Sequence, residues 1–320
     1  MAEPVKFGVL LPTRGILFAP PPPPVEDVLG MAEAVERAGY DSIWIGDSVI
    51  AKPRLETFGT LGALAARTRR VKIGTSVLLA VLRHPVLLAQ AVASADILAS
   101  GRLILGIGVG RVGAPNLEQE FEVCGIPIKQ RSRRTEEMVE LMRQLWAHPR
   151  VTYTGRYYQY RDVELGFNPV QRPGVPIWIS SNDVDTGLER VGRYGDGWIT
   201  NVITPEIFEE CWQKVQGFAA KAGRDVRGLP RAVYMTMNVN PDGGVARTEG
   251  REFLEKYYKK PFERLSREFV CNLGSPDECL KLIEGYVQAG ANYMILRFAA
   301  KDQRGHLEFC TREILARFAR

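Results

Sequence analysis

Residues 70–110 read RVKIGTSVLLAVLRHPVLLAQAVASADILASGRLILGIGVG, and this stretch decides the fold. Its two apolar runs, 71–77 (VKIGTSV) and 103–109 (LILGIGV), carry aliphatic and β-branched residues at successive rather than alternate positions. A strand covered on both faces has that pattern, which implies a parallel sheet packed between helices. The intervening segment opens a helical pattern at Pro85. The stretch is therefore a strand–helix–strand unit.

Outward from it the same alternation continues. Further strands are predicted at residues 6–11, 42–46, 177–180, 198–201, 232–239 and 293–298. Helices are predicted at 25–38, 58–67, 132–146, 205–222 and 307–318, and after the capping box Ser275-Pro276-Asp277-Glu278. Thr204-Pro205 is an N-cap followed by proline in the first helical position. Three helix-to-strand junctions echo one another: AGYDSIW from Ala38, YGDGW from Tyr194 and AGANY from Ala289. Each sets glycine at a helix end, then a short polar turn, then an aromatic strand start. Eight strands alternating with helices predict an α/β fold, a (β/α)₈ TIM barrel forming one domain over residues 1–320. Insertions are expected after strand four (111–129), before strand five (147–175, with a hairpin near Thr154-Gly155) and after strand seven (241–270). The proline run 20–24 must be extended and stiff, either lining the mouth or acting as a spacer.

Composition narrows the function. No apolar run is long enough to span a membrane, and the N-terminus lacks the features of a signal peptide. Five cysteines are scattered without metal spacing, so a reducing, cytoplasmic location is expected. The three histidines form no paired motif and no carboxylate cluster has metal spacing, so metal-dependent hydrolysis is not expected. The net charge of +5 suits an anionic cofactor as well as it suits plain surface basicity, and no Lys/Arg run points to nucleic acid.

Barrel enzymes keep their chemistry at the C-terminal ends of the strands. This rule selects Asp47, Ser48, Thr75 to Val77, Gly106 to Arg111, Ser180 to Thr186 and Asn201. Gly106, Gly108 and Gly110 either admit a flat ring or phosphate close to the backbone, or make a tight turn. Ser181, Asn182, Asp183 and Thr186 precede or open a helix whose free N–H groups could hold phosphate. Ordinary capping by Asn182 or Asp183 is the other reading, and Asp183 and Asp185 would repel an anion. Arg111 could grip a carboxylate or phosphate, or form an ion pair with Glu118 or Glu120. His84 could orient the helix at Pro85. Trp44, Trp178 and Trp198 are expected to fill the barrel.

These residues carry a resemblance. Thr75-Ser76-Val77-Leu78, Arg83-His84-Pro85, residues 101–110, Pro176 to Ser180 and Gly195-Asp196-Gly197-Trp198 resemble the luciferase-like monooxygenase superfamily. The resemblance implies reduced FMN or the deazaflavin coenzyme F420 at the mouth, its ring resting on a bulge with a non-prolyl cis peptide at Ser76-Val77. It also implies Asp47 near the polar edge of the ring. Asp47 and Arg111 are the catalytic candidates, Arg111 on its own chemistry as a bidentate donor. The glycine run and the Thr-Ser-Val bulge look more like the deazaflavin branch. The family's sugar-phosphate dehydrogenases place a histidine base and a glutamate where this chain has Ser48 and Arg111, so alcohol oxidation is not expected. The implied function is hydride transfer between a reduced deazaflavin and a small organic substrate. Alternatives are a two-component monooxygenase using reduced FMN and oxygen, fed by a separate reductase, and a barrel that binds cofactor without catalysis. Relatives usually pair as homodimers.

Overall fold

The computed structural model describes residues 4–14, 24–52, 54–111, 113 and 116–318. β1 (Lys6–Leu10), α1 (Val25–Arg37), β2 (Ser42–Ile45), α2 (Thr57–Arg67), β3 (Lys72–Thr75), α3 (Pro85–Leu98) and β4 (Leu103–Ile107) make the first half. α4 (Leu117–Val123) and α5 (Arg131–Ala147) follow, then an antiparallel hairpin of β5 (Val151–Thr154) and β6 (Gln159–Val163). The alternation resumes with β7 (Ile177–Ser180), α6 (Asp185–Tyr194), β8 (Gly197–Thr200), α7 (Pro205–Lys221) and β9 (Arg231–Val239). An excursion of α8 (Gly243–Tyr258), α9 (Phe262–Leu265) and β10 (Cys271–Gly274) precedes α10 (Pro276–Gln288), β11 (Tyr293–Phe298) and α11 (Gln303–Cys310).

Parallel pairing runs β1–β2–β3–β4–β7–β8–β9–β11 and back to β1, closing an eight-stranded barrel. The three insertions stand where the sequence places them. One strand was not expected: β10 pairs with Thr236 to Val239, the distal half of β9, while β8 pairs with Arg231 to Val233. Its sequence, CNLG, alternates between buried and half-buried and gives no apolar run. Of the proline run, Pro20 to Pro23 lie outside the described residues.

The barrel interior is filled by Leu10, Trp44, Ile104, Trp178, Ile199, Ala232, Tyr293 and Ile295. Trp44 and Trp178 meet at 5.3 Å between ring centroids, and glycines make room for them. A Cβ on Gly74 would lie 2.3 Å from the Trp44 ring, and one on Gly197 would lie 2.6 Å from the Trp178 ring. Trp198 corrects the sequence expectation. It faces outward, stacked on Phe208 at 4.8 Å under the helical layer. All four residues of β8 are buried, so period-two patterning could not distinguish its inner from its outer face.

Helix ends follow the predicted signals. Thr204 accepts a hydrogen bond from the Ile207 N–H, and both bonds of the Ser275–Glu278 capping box form. Gly39 and Gly290 adopt φ of +86° and +101°, as a glycine stop requires. Gly195 does not. It stays at φ −74°, and its glycine is needed because a Cβ would press on Val191 O at 2.9 Å. Among the described residues no helix is long and apolar enough to cross a membrane.

Candidate active site at the barrel mouth

The closed strand order sets β3 and β9 four places apart in a ring of eight, on opposite sides of the barrel. Val77, just past β3, and Tyr234, on β9, are both half-buried and both pack on the interior tryptophan cluster. They form opposing parts of the floor of the mouth.

On the β3 side, the Ser76–Val77 peptide is cis, where the resemblance implies it. Ser76 and Val77 are half-buried between the fully buried Ile73–Thr75 and Leu78–Leu82. The bulge is tied to both neighbouring strands. Ser76 N–H donates to Ile45 O at 2.7 Å, Leu78 N–H to Gly106 O at 2.7 Å, and Gly108 N–H to Leu78 O at 3.0 Å. The Thr75 hydroxyl donates to Gly106 O at 2.8 Å. A Cβ on Gly106 would stand 1.9 Å from Thr75 O, and one on Gly108 2.5 Å from Val77 Cγ2. Those two glycines serve close approach, whereas Gly110, at φ +79°, makes the turn.

The Asp47 side chain is 2% exposed and its carboxylate is fully engaged. It accepts from both terminal nitrogens of Arg83 at 2.8 Å each, from the Thr57 hydroxyl at 2.7 Å and from Leu79 N–H at 3.0 Å. Burial alone would raise its pKa. The Arg83 guanidinium, Thr57 and Leu79 outweigh burial and hold it below the usual carboxylate range. Asp47 thus fastens the loop after β3 to α2. The Ser48 hydroxyl and the N–H groups of Val49, Ile50 and Ala51 all converge on one oxygen of Glu120, at 2.5–3.3 Å. Arg111 is exposed and pairs with Glu268 of the third insertion at 3.1 Å. The ion-pair reading of Arg111 therefore holds with a different partner from Glu118 or Glu120.

The start of α6 also differs from ordinary capping. Val184 occupies the N-cap without a side-chain bond. The Asn182 side-chain oxygen instead accepts from the Thr200 hydroxyl and Asn201 N–H, at 3.1 Å each, joining the ends of β7 and β8. Asp183 and Thr186 are exposed, and Asp185 pairs with Lys214 at 2.8 Å. Ser181 packs against Gly187, where a Cβ would meet its hydroxyl oxygen at 2.1 Å. α6 therefore begins without a side-chain cap.

The histidines are placed elsewhere. His84 does not cap α3 with its side chain and instead shares a hydrogen bond with the Tyr160 hydroxyl at 3.0 Å. His306 accepts from Val239 N–H at 3.2 Å, and burial pushes its pKa down to about 4, so it is neutral. Among the described residues no group of side chains could hold a metal ion.

The half of the mouth between β9 and β2 was not anticipated. Arg297, on β11, is 6% exposed and donates to the Thr236 hydroxyl at 2.7 Å and to the Tyr258 hydroxyl. Its guanidinium carbon lies 5.2–5.7 Å from the ring centroids of Tyr234, Tyr257, Tyr258 and Phe269. Lys52 Nζ lies 5.6 Å from the centroid of the same Tyr258 ring. Arg54 fills the space that a side chain on Gly46, at the end of β2, would take. One signal was available in the sequence: an arginine inside the apolar strand YMILRF.

The model of the luciferase-like monooxygenase family matches residues 5–293. The chain is 32% identical to the F420-dependent glucose-6-phosphate dehydrogenase of Segniliparus rotundus over 314 residues, covering 89% of this chain and 91% of the relative. It is 31% identical to the enzyme of the same description from Beutenbergia cavernae, over 94% of each chain. Among solved structures, a monooxygenase from Streptomyces bottropensis superposes with a TM-score of 0.83 at 23% identity, covering 98% of this chain and all of its own. The coenzyme F420-dependent tetrahydromethanopterin reductase of Methanopyrus kandleri superposes with a TM-score of 0.78 at 20% identity, covering 99% of this chain and all of its own. These two structures share the barrel fold.

Proposed function

Because this chain belongs to the luciferase-like monooxygenase family, we propose that it transfers hydride between reduced coenzyme F420 and a small organic substrate. The observation that carries this reading is the cradle between β3 and β4. There two glycines, at which a Cβ would clash, leave Ser76 and Val77 as a half-buried shelf at the mouth. Such a shelf fits one face of a flat tricyclic ring. The relatives named for F420 support this cofactor over FMN.

In this reading Thr75, Ser76, Val77, Gly108 and Gly110 support the ring. The uncapped N–H groups of α6, with the Ser181 and Thr186 hydroxyls and the backbone at Asn182 and Asp183, would take a phosphate, because a helix N-terminus favours anions. Asp47 acts through Arg83 and Leu79, holding the shelf in place, and Arg111 tethers the β4 loop to the third insertion. When bound, the deazaflavin supplies the hydride, while the protein supplies position and the exclusion of water. Alcohol oxidation needs a proton acceptor. The resemblance places that acceptor at Ser48, which donates to Glu120, and at Arg111, a cation paired with Glu268. The favoured direction is therefore from cofactor to substrate. All five cysteines are free, which supports a reducing cytoplasm. The family resemblance supports a homodimer resupplied by a separate deazaflavin reductase.

Fluorescence titration tests the reading. Submicromolar binding of F420 with weak binding of FMN, and oxidation of reduced F420 under anaerobic conditions by a suitable acceptor, are the expected results. Tighter FMN binding with oxygen consumption would replace it with the monooxygenase reading. Binding of neither cofactor would overturn both.

A further inference from the structure

The two halves of the mouth differ in charge. The strand ends of the β3–β4–β7–β8 half carry Ser76, Gly108, Ser180 and Asn201; beyond them Arg111 is already paired with Glu268, and Asp183 is exposed. The β9–β11–β1–β2 half gathers cations. Lys52, Arg54 and Arg297 have no carboxylate partner among the described residues, and Arg14 and Lys260 lie near enough to repel Lys52. Glu268, an acid of the third insertion, is already shared among Arg111, Lys260 and Arg264. Arg297 Nε is buried and makes no hydrogen bond. Removing cations from water without a counter-charge is unfavourable, and structures place such groups where a ligand supplies the missing charge. Tyrosine faces partly compensate a cation but do not neutralise it.

Strand alternation shows which way the cluster points. Tyr293 and Ile295 face the barrel interior, so Arg297 occupies the next inward position toward the mouth. Tyr234 belongs to the same inner face of β9 and packs on the same tryptophan cluster as Val77. Arg297 therefore stands on the far side of the mouth from the shelf, and Arg54, beside Gly46 at the end of β2, stands next to it, so a group held between them lies beside whatever rests on Val77.

We propose that Arg297, Lys52 and Arg54, framed by Tyr234, Tyr257 and Tyr258, form the substrate subsite, and that it takes a carboxylate or phosphate group on the molecule that receives hydride. This rests on the reading above for the identity of the neighbour at Val77. The guanidinium forks suit a planar or tetrahedral oxyanion, and the tyrosine rings suit an apolar or aromatic body attached to it. The same chemistry could come from the cofactor's own phosphate and carboxylates, so the test separates the two sources.

The whole protein, both unloaded and loaded with F420, would be titrated calorimetrically with inorganic phosphate and with benzoate. The loaded protein should bind at least one of them saturably. Lys52→Gln and Arg54→Gln should weaken that binding by about tenfold or more while leaving F420 affinity within about twofold. Arg297→Lys is the companion variant, since it keeps the buried charge but loses the fork. Absence of saturable binding of either anion, or unchanged binding in all three variants, would overturn the proposal. So would variants that lose F420 affinity yet bind the deazaflavin riboside lacking phosphate as well as wild type does, because the cations would then hold the cofactor. If the wild-type protein binds no F420 at all, the functional reading above fails, and the unloaded titrations alone judge the anion subsite.

Discussion

A Cβ placed on Gly108 would lie 2.5 Å from Cγ2 of Val77, so the glycine just past β4 is the room that the valine beyond β3 occupies. Valine has little rotamer freedom with which to retreat. Gly108→Ala should therefore move the shelf and weaken F420 binding by about tenfold or more. The overpacking cost should be limited to about 1–3 kcal/mol of stability. Cofactor titration and thermal melting would check both, and an unchanged affinity would remove Val77 from the cofactor site.

Arg83 and Asp47 form a two-pronged pair on an almost fully buried carboxylate. Arg83→Met should leave that charge without its main partner and cost about 3–5 kcal/mol. Asp47→Asn allows a pH test. The Asp47 pKa is lowered in the fold, so its stabilising contribution is complete above the unfolded value of about 3.9 and disappears as pH falls through the folded value. Wild type should melt above Asp47→Asn at pH 7, and the two curves should converge in strong acid.

Glu120 gathers one hydroxyl and three N–H groups from the loop after β2. Glu120→Ala would leave these donors without their acceptor, at a cost of about 1–3 kcal/mol. Hydrogen exchange at Val49 to Ala51 should accelerate more than exchange in β2 itself. Equal acceleration in both would mean that the carboxylate supports the whole barrel rather than the loop.

Burial and the neighbouring Arg54, Arg14, Arg297 and Lys260 push the Lys52 pKa down to about 8. The Tyr258 ring is the neutral group on its face. The unfolded chain, with lysine near 10.4, binds the extra proton between these values, so wild-type stability rises with pH across that window. Without added anions, Lys52→Met should melt a few degrees above wild type at pH 7, and the gap should narrow above about pH 8. Phosphate should close the gap at pH 7 by stabilising wild type alone.

The barrel strands were legible because burial on both faces writes itself as uninterrupted apolar runs, and all eight could be placed to within a residue or two. β10 was not legible, since Cys271 to Gly274 is half-covered and carries two polar or small residues in four. The outward direction of Trp198 was equally hidden, because a short strand buried on both sides has no polar face to mark it. At the site, the shelf and the glycines fall within one contiguous stretch and could be read together. Arg83 and Asp47 are 36 residues apart, and nothing in their spacing announces the pair. The cationic half was out of reach for the same reason. Lys52 and Arg54 look like surface charge, and although Arg297 stands out inside an apolar strand, nothing in the spacing joins it to residues at the other end of the chain.

The opposition of β3 and β9 across the barrel has an evolutionary and practical consequence. One wall is built from main chain and absent side chains, which leaves it almost nothing to vary. The rest of the mouth is built from long, replaceable groups on β11, on the loop after β2 and on the third insertion. If the cationic groups hold the substrate as proposed, a lineage, or an engineer, could exchange the clientele of this barrel by rewriting a few codons there while the shelf stays untouched.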